Sequence, residues 1–238
     1  MIRRLELVGI LAVLALQGAT GHAQPPSTVA AKLSEGVWAY VGKDGEVVVS
    51  GSFLGVPPDS ALRPEAVAAR EAFDFRTGDP VLGCGAPGMP RALTAGSPMT
   101  FAWIGDDLTI NYESMDVERV VHMNGERPGA NIPRTPNGFS VGRWEGDALV
   151  VTTTRLDDRV VDMLGTPKSD GMAVEERYRI DATGGDTYLR VELIMNDPQT
   201  FVAPYVWHFD FVLRRDWELM EYACVERPVE LTPGVVAN

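Results

Sequence analysis

After residue 98 the sequence returns repeatedly to one pattern, a short run of strand-forming residues closed by a tight turn. Runs over 99–104, 108–113, 119–123, 139–144, 148–154, 173–180, 188–195, 205–213 and 218–224 are rich in β-branched and aromatic side chains. The links Gly105-Asp106-Asp107, Glu145-Gly146-Asp147, Gly184-Gly185-Asp186 and Arg215-Asp216 are built from turn formers. Two earlier runs, 37–41 and 46–50, flank Lys43-Asp44-Gly45 and predict an N-terminal hairpin. Links this short join antiparallel neighbours, because a parallel pair needs a crossover of about a dozen residues or more. The chain therefore reads as an all-β antiparallel meander of about eleven strands.

Alternation along the strands indicates what this meander closes into. Tyr205, Trp207, Phe209, Phe211 and Leu213 share one face of their run, and Val206, His208, Asp210, Val212 and Arg214 share the other. The same parity groups Val174, Glu176, Tyr178 and Ile180, which places one carboxylate on an otherwise apolar face. A meander with one apolar face predicts a calycin- or lipocalin-like barrel, packed or hollowed for a small ligand, with an open β-sandwich as the alternative. One short helix is predicted near 63–75, with Pro64 in its first turn and Ala66, Ala68, Ala69 and Ala72 along it. Residues 78–98 and 125–138 read as Gly- and Pro-rich loops of the length that often borders a site.

At the front, Arg3 and Arg4 precede an apolar run from Leu7 to Leu16 and then Gly21-His22-Ala23, the plan of a secretory signal peptide over 1–23. That run is too short to span a bilayer, which takes about 20 apolar residues, so no membrane insertion is expected after cleavage. Residues 24–238 are expected to form a single domain, including the N-terminal hairpin and helix, in the periplasm or outside the cell. A net charge of -12 argues against nucleic acid and anionic membrane surfaces, both of which call for a cationic footprint. In an oxidising compartment the two cysteines, Cys84 and Cys224, read as a disulfide in preference to free thiols or a metal site.

The segment 138–154, GFSVGRWEGDALVVTTT, resembles the GHSVGRWEGDTLVVDTT signature of a large, mostly uncharacterised family of exported bacterial proteins. The likeness continues through CGAPGMPR at 84–91, RVVHMNG at 119–125, VEERY at 174–178, NDP at 196–198 and EYAC at 221–224. The resemblance implies export and supports the Cys84–Cys224 pairing, since both cysteines fall inside matching stretches; it brings no established activity. Phe139, Lys168 and Val225 stand where that pattern tends to have histidine, leaving His122 and His208 beyond the signal peptide. Two separated histidines do not make a zinc site, which takes three or four ligands, so no metal and no cofactor are expected.

Three function classes follow. In the first, the barrel cavity binds a small hydrophobic molecule, lined by Tyr178, Trp207, Phe209 and Phe211 and oriented by Arg143. In the second, the same cavity houses a cofactor-free acid/base enzyme (an isomerase, cyclase, lyase or hydrolase) using His122 with Glu176 or Glu113. In the third, the barrel is a packed structural or interaction module. Ser140 formally completes a Gly-x-Ser-x-Gly string, but the strand and hairpin that follow are not the strand-to-helix turn of a nucleophile elbow.

Overall fold

Nine of the eleven expected runs are strands, and hydrogen bonding passes from each to the next until the last meets the first. They are β1 (Val37–Val41), β2 (Met99–Ile104), β3 (Asp107–Tyr112), β4 (Val117–His122), β5 (Phe139–Glu145), β6 (Ala148–Thr154), β7 (Ala173–Asp181), β8 (Tyr188–Asn196) and β9 (Tyr205–Arg214), and together they close a barrel. The computed structural model describes residues 27–42, 44–48, 56–129, 131–222 and 224. The expected signal peptide lies outside the described residues, as does part of the 46–50 run, whose described portion folds back on β1 as expected through the Val41–Val47 bridge, with Gly42 N–H donating to Glu46 O at 2.8 Å and Val48 N–H to Tyr40 O at 2.9 Å.

One junction departs from the meander. β4 and β5 pair in parallel, Val121 with Ser140 and His122 with Val141, while every other junction is antiparallel. The connecting residues 123–138 are long enough to carry the chain from one rim of the barrel back to the other, as a parallel pair requires. The resulting strand directions gather the β2–β3, β5–β6 and β7–β8 hairpins at one rim. The longer connections that follow β1, β6 and β8 leave from and return to the opposite rim.

Each rim is closed by a short helix. At the hairpin rim, α1 (Ser27–Leu33) is held by the Trp38 indole N–H, which donates to Leu33 O at 2.8 Å, and by that of Trp103, which donates to Ala30 O at 3.3 Å. On the loop side, α2 (Pro64–Glu71) carries the expected first-turn proline, and α3 (Phe75–Gly78) follows it. Residues 78–98 are more than a bordering loop: α4 (Arg91–Thr94) and Met89 before it are buried, and they plug the loop rim.

The barrel interior is filled with side chains. Trp38, Met99, Ile110, Tyr112, Tyr178, Leu193 and Phe211 are all essentially inaccessible and belong to one apolar cluster. In β9 the inward side of Phe209, Phe211 and Leu213 matches the expected parity. The conspicuous 143–147 string has a structural explanation. Gly146 takes φ 64° in the β5–β6 turn, Trp144 packs into the core, and Glu145 bridges Arg143 at 2.7 Å and Arg177 at 2.8 Å on the outside.

The closing seam is uneven. β1 pairs with β9 from Val37 to Val41 but with β2 only where Trp38 meets Met99. Beyond β9, Trp217 and Leu219 lie beside Val37 and Phe101, and the chain continues toward the loop rim. The expected strand over 218–224 is instead an extended tail. Its Met220 N–H donates to the Glu113 carboxylate and its Tyr222 N–H to that of Asp116, each at 3.0 Å. It ends in the Cys84–Cys224 disulfide, which spans 140 residues. In the chain-entropy model a loop of that size is worth up to about 5 kcal/mol. Urea unfolding of the Cys84→Ala/Cys224→Ala variant is expected to show a loss of that order, with the far-UV spectrum of the folded barrel retained.

Candidate functional site

Inside the barrel one arginine organises every buried polar group around it. Val117, Arg119 and Val121 face inward from β4, so the guanidinium points into the interior. Its Nε donates to Ser140 Oγ at 2.9 Å, its Nη2 to Thr153 Oγ1 at 2.8 Å, and its Nη1 and Nη2 fork onto the two Glu176 oxygens at 2.9 Å each. The remaining Nη1 hydrogen lies between Tyr112 Oη at 3.3 Å and Met89 Sδ at 3.7 Å. All five guanidinium donors are thereby used. Tyr178 Oη completes the group by donating to Glu176 at 3.0 Å.

Burial and the ion pair act together on the arginine and on the two tyrosines beside it. The Arg119 and Glu176 side chains are 1% and 0% exposed. Burial pulls the guanidinium toward neutrality, but the Glu176 carboxylate more than offsets it, and the Arg119 pKa is raised. Burial pushes the Tyr112 hydroxyl up to about 12, and burial together with Glu176 holds Tyr178 well above its ordinary range. An ion pair this deep, with all five guanidinium donors satisfied, is a structural anchor.

The expected catalytic residues do not converge. His122 points outward at the hairpin rim, whereas Glu176 points into the barrel on Arg119. Glu113 follows β3 at the opposite rim and holds the tail. The carboxylate beside His122 is that of Asp107 at 3.2 Å, because antiparallel pairing sets the start of β3 against the end of β4. The imidazole also stacks on Phe139, with ring centroids 4.6 Å apart. Ser140 is buried near the start of β5, against Arg119. His208 stands 72% exposed on the outer face.

The expected ligand-binding set also divides. Tyr178, Phe209 and Phe211 are buried in the packed core, and Trp207 is half-buried between Tyr205 and Phe209 in an edge-to-face aromatic row. Arg143 is on the outer face, paired with Glu145 and Glu175, and orients nothing inside. Its parity explains this: Ser140, Gly142 and Trp144 take the inward side of β5, so residue 143 must face out.

The loop rim carries a feature that strand periodicity cannot show. A cleft of about 890 Å³ is walled by Phe73, Pro80, Leu82 and Val160, with Arg76, Thr77, Asp158 and Arg159 among its polar lining. Its floor is rigid. Asp79 is buried in a two-pronged bridge with Arg91 of α4, at 2.7 and 2.8 Å, and also accepts from Val81 N–H at 3.0 Å. Phe73 is seated against Gly165 (φ 84°), where any side chain would collide with its ring. Cys84 is flanked by two lining residues, Gly83 and Gly85, so the disulfide ties the cleft wall to the tail.

Beside the cleft lies a buried cation. Lys168 Nζ, with 0% side-chain exposure, donates to Met89 O at 2.9 Å and stands 3.7 Å from Asp157. Burial lowers its pKa to about 8, with Asp157 opposing the shift. Among the described residues no group of three or more His, Cys, Asp or Glu side chains is placed to hold a metal ion. Comparison of the chain with family models, curated proteins and solved structures finds no match.

Two outcomes follow from the buried charges. Arg119→Met or Glu176→Leu alone strands the opposite charge and is expected to cost about 3–5 kcal/mol, while the double variant loses far less than the sum; a urea-unfolding double-mutant cycle reads the difference. Lys168 has a folded pKa of about 8, below the ordinary 10.5, so the unfolded chain binds more protons between those values. Its burial penalty is fully present below pH 8 and is relieved as the pH rises to about 10.5. The unfolding free energy of the native protein relative to Lys168→Met should therefore increase by about 3 kcal/mol across that window.

Proposed function

We propose that this protein is an exported binding protein for a small, largely hydrophobic molecule, held in the loop-rim cleft and not between the strands. The observation that carries the reading is the cleft itself. Its size is within the range of small-molecule sites, and it combines an apolar wall of Phe73, Pro80, Leu82 and Val160 with a few polar groups. The packed interior directs attention there, since Tyr178 and Phe211 are closed in by their neighbours. The disulfide supports export, and among the described residues no helix is long and apolar enough to cross a membrane.

Binding of the neutral dye Nile red, followed by its fluorescence, tests the site. Gly83 lines the cleft, and a Cβ there would meet nothing within 4 Å, so Gly83→Phe fills the space without a clash. Native protein should bind the dye saturably, Gly83→Phe should lose at least tenfold in affinity at unchanged thermal stability, and the core variant Phe209→Leu should retain it. Binding that survives Gly83→Phe and is lost in Phe209→Leu would return the site to the barrel interior.

A further inference from the structure

We infer that the ligand of this cleft is a singly charged organic anion, a carboxylate on an apolar body; the inference rests on the cleft being the binding site. Two guanidinium groups line it with donors to spare. Arg76 is exposed in α3, and among the described residues its side chain makes no hydrogen bond or ion pair. Arg159 uses Nε on Asp157 at 2.8 Å and Nη1 on Ala86 O at 2.9 Å, leaving its Nη2 group without a hydrogen-bond partner among the described residues. These two bonds hold the guanidinium plane in place before any ligand arrives, which reduces the ordering cost of binding. A Cβ on Gly85 would lie 3.3 Å from Arg159 Nη1, so the absence of a side chain there leaves the guanidinium room against the backbone.

The surrounding charges favour a monoanion. Of the carboxylates lining the cleft, Asp79 is neutralised by Arg91, and Asp158 is exposed on the same wall as Arg159. Arg91 and Asp79 neutralise each other and Asp157 holds Arg159 Nε, so the donors left to a ligand are the Arg76 guanidinium and the Nη2 group of Arg159, with Asp158 beside them. A single carboxylate matches those donors, whereas a doubly charged phosphate would bring a second negative charge up against Asp158. Guanidinium groups receive a carboxylate through parallel N–H donors, and the apolar wall offers a seat for the remainder of the molecule. Phe75 and Leu164, both exposed, lie within two residues of the Phe73–Gly165 contact and extend the apolar surface outward.

Calorimetric titration with decanoate and with decanol tests the assignment, since the two share a chain and differ in charge. Native protein should bind decanoate at least tenfold more tightly than decanol, and rising salt should erode the difference. Arg76→Gln should weaken decanoate about tenfold and leave decanol within twofold, and Arg159→Lys should weaken decanoate while the barrel stays folded. Equal affinity for the two ligands, unaltered by Arg76→Gln, would overturn the carboxylate assignment while leaving the cleft a binding site. Failure of decanoate, decanol and Nile red alike to bind native protein would remove the cleft reading and this inference with it.

Discussion

The Arg119–Glu176 pair is the constraint around which the barrel is arranged. A guanidinium spends five donors in the interior, and they draw on Tyr112 of β3, Ser140 of β5, Thr153 of β6, Glu176 of β7 and the plug residue Met89. Five successive strands and one rim plug therefore share a single set of hydrogen bonds. Side chains alternate between the two faces of a strand, so a one-residue slip in β4 or β7 would turn one partner outward and abandon the other in an apolar interior. The pair consequently specifies register more than it supplies stability. Its position also explains why the barrel interior is filled, with the ring of Tyr178 and the plug closing around the charge.

How much of this was legible in the chain differs by element. Alternation in 205–213 and 173–180 indicated the inner faces of β9 and β7, and it placed Glu176 inside before any partner was known. The same parity, applied to Val117-Glu118-Arg119-Val120-Val121, puts Arg119 on the apolar side of its run; two opposite charges each on an apolar face signal a pair, and that signal was present unread. The parallel β4–β5 junction was hidden because only link length distinguishes it, and 123–138 resembles a loop as much as a crossover. Glu113 and His122 belong to the runs of neighbouring strands, which invites the pairing, but antiparallel register sends the two to opposite rims and substitutes Asp107.

The loop-rim cleft was legible only as the long Gly- and Pro-rich loop over 78–98, for a physical reason. Period-two patterning reports which way a strand's side chains point, and the cleft is walled by 73–85 and 158–160, where no periodicity exists. Its order comes instead from long-range contacts: Arg91 reaching back to Asp79, Arg159 reaching Ala86 O, and the Cys84–Cys224 bridge. A rigid barrel carrying a site on its connecting loops is a common division of labour, with the strands supplying position and the loops supplying chemistry.

The uneven seam has a consequence for how the chain reaches this state. β1 has almost no partner in β2 and waits for β9, whose Phe211 meets Tyr40 across nearly the whole domain. Every pairing from β2 to β8 is made between neighbours in sequence, but closure is not. A nascent chain therefore carries two unpaired strand edges, β1 and the most recent strand, until its final third is present. Closure of this kind, over a long separation, is the slow step in β-rich folding and the interval in which edge-to-edge association competes. The disulfide joins Cys84 of the loop rim to residue 224, beyond β9, so the covalent bond too waits for the last strand to be present.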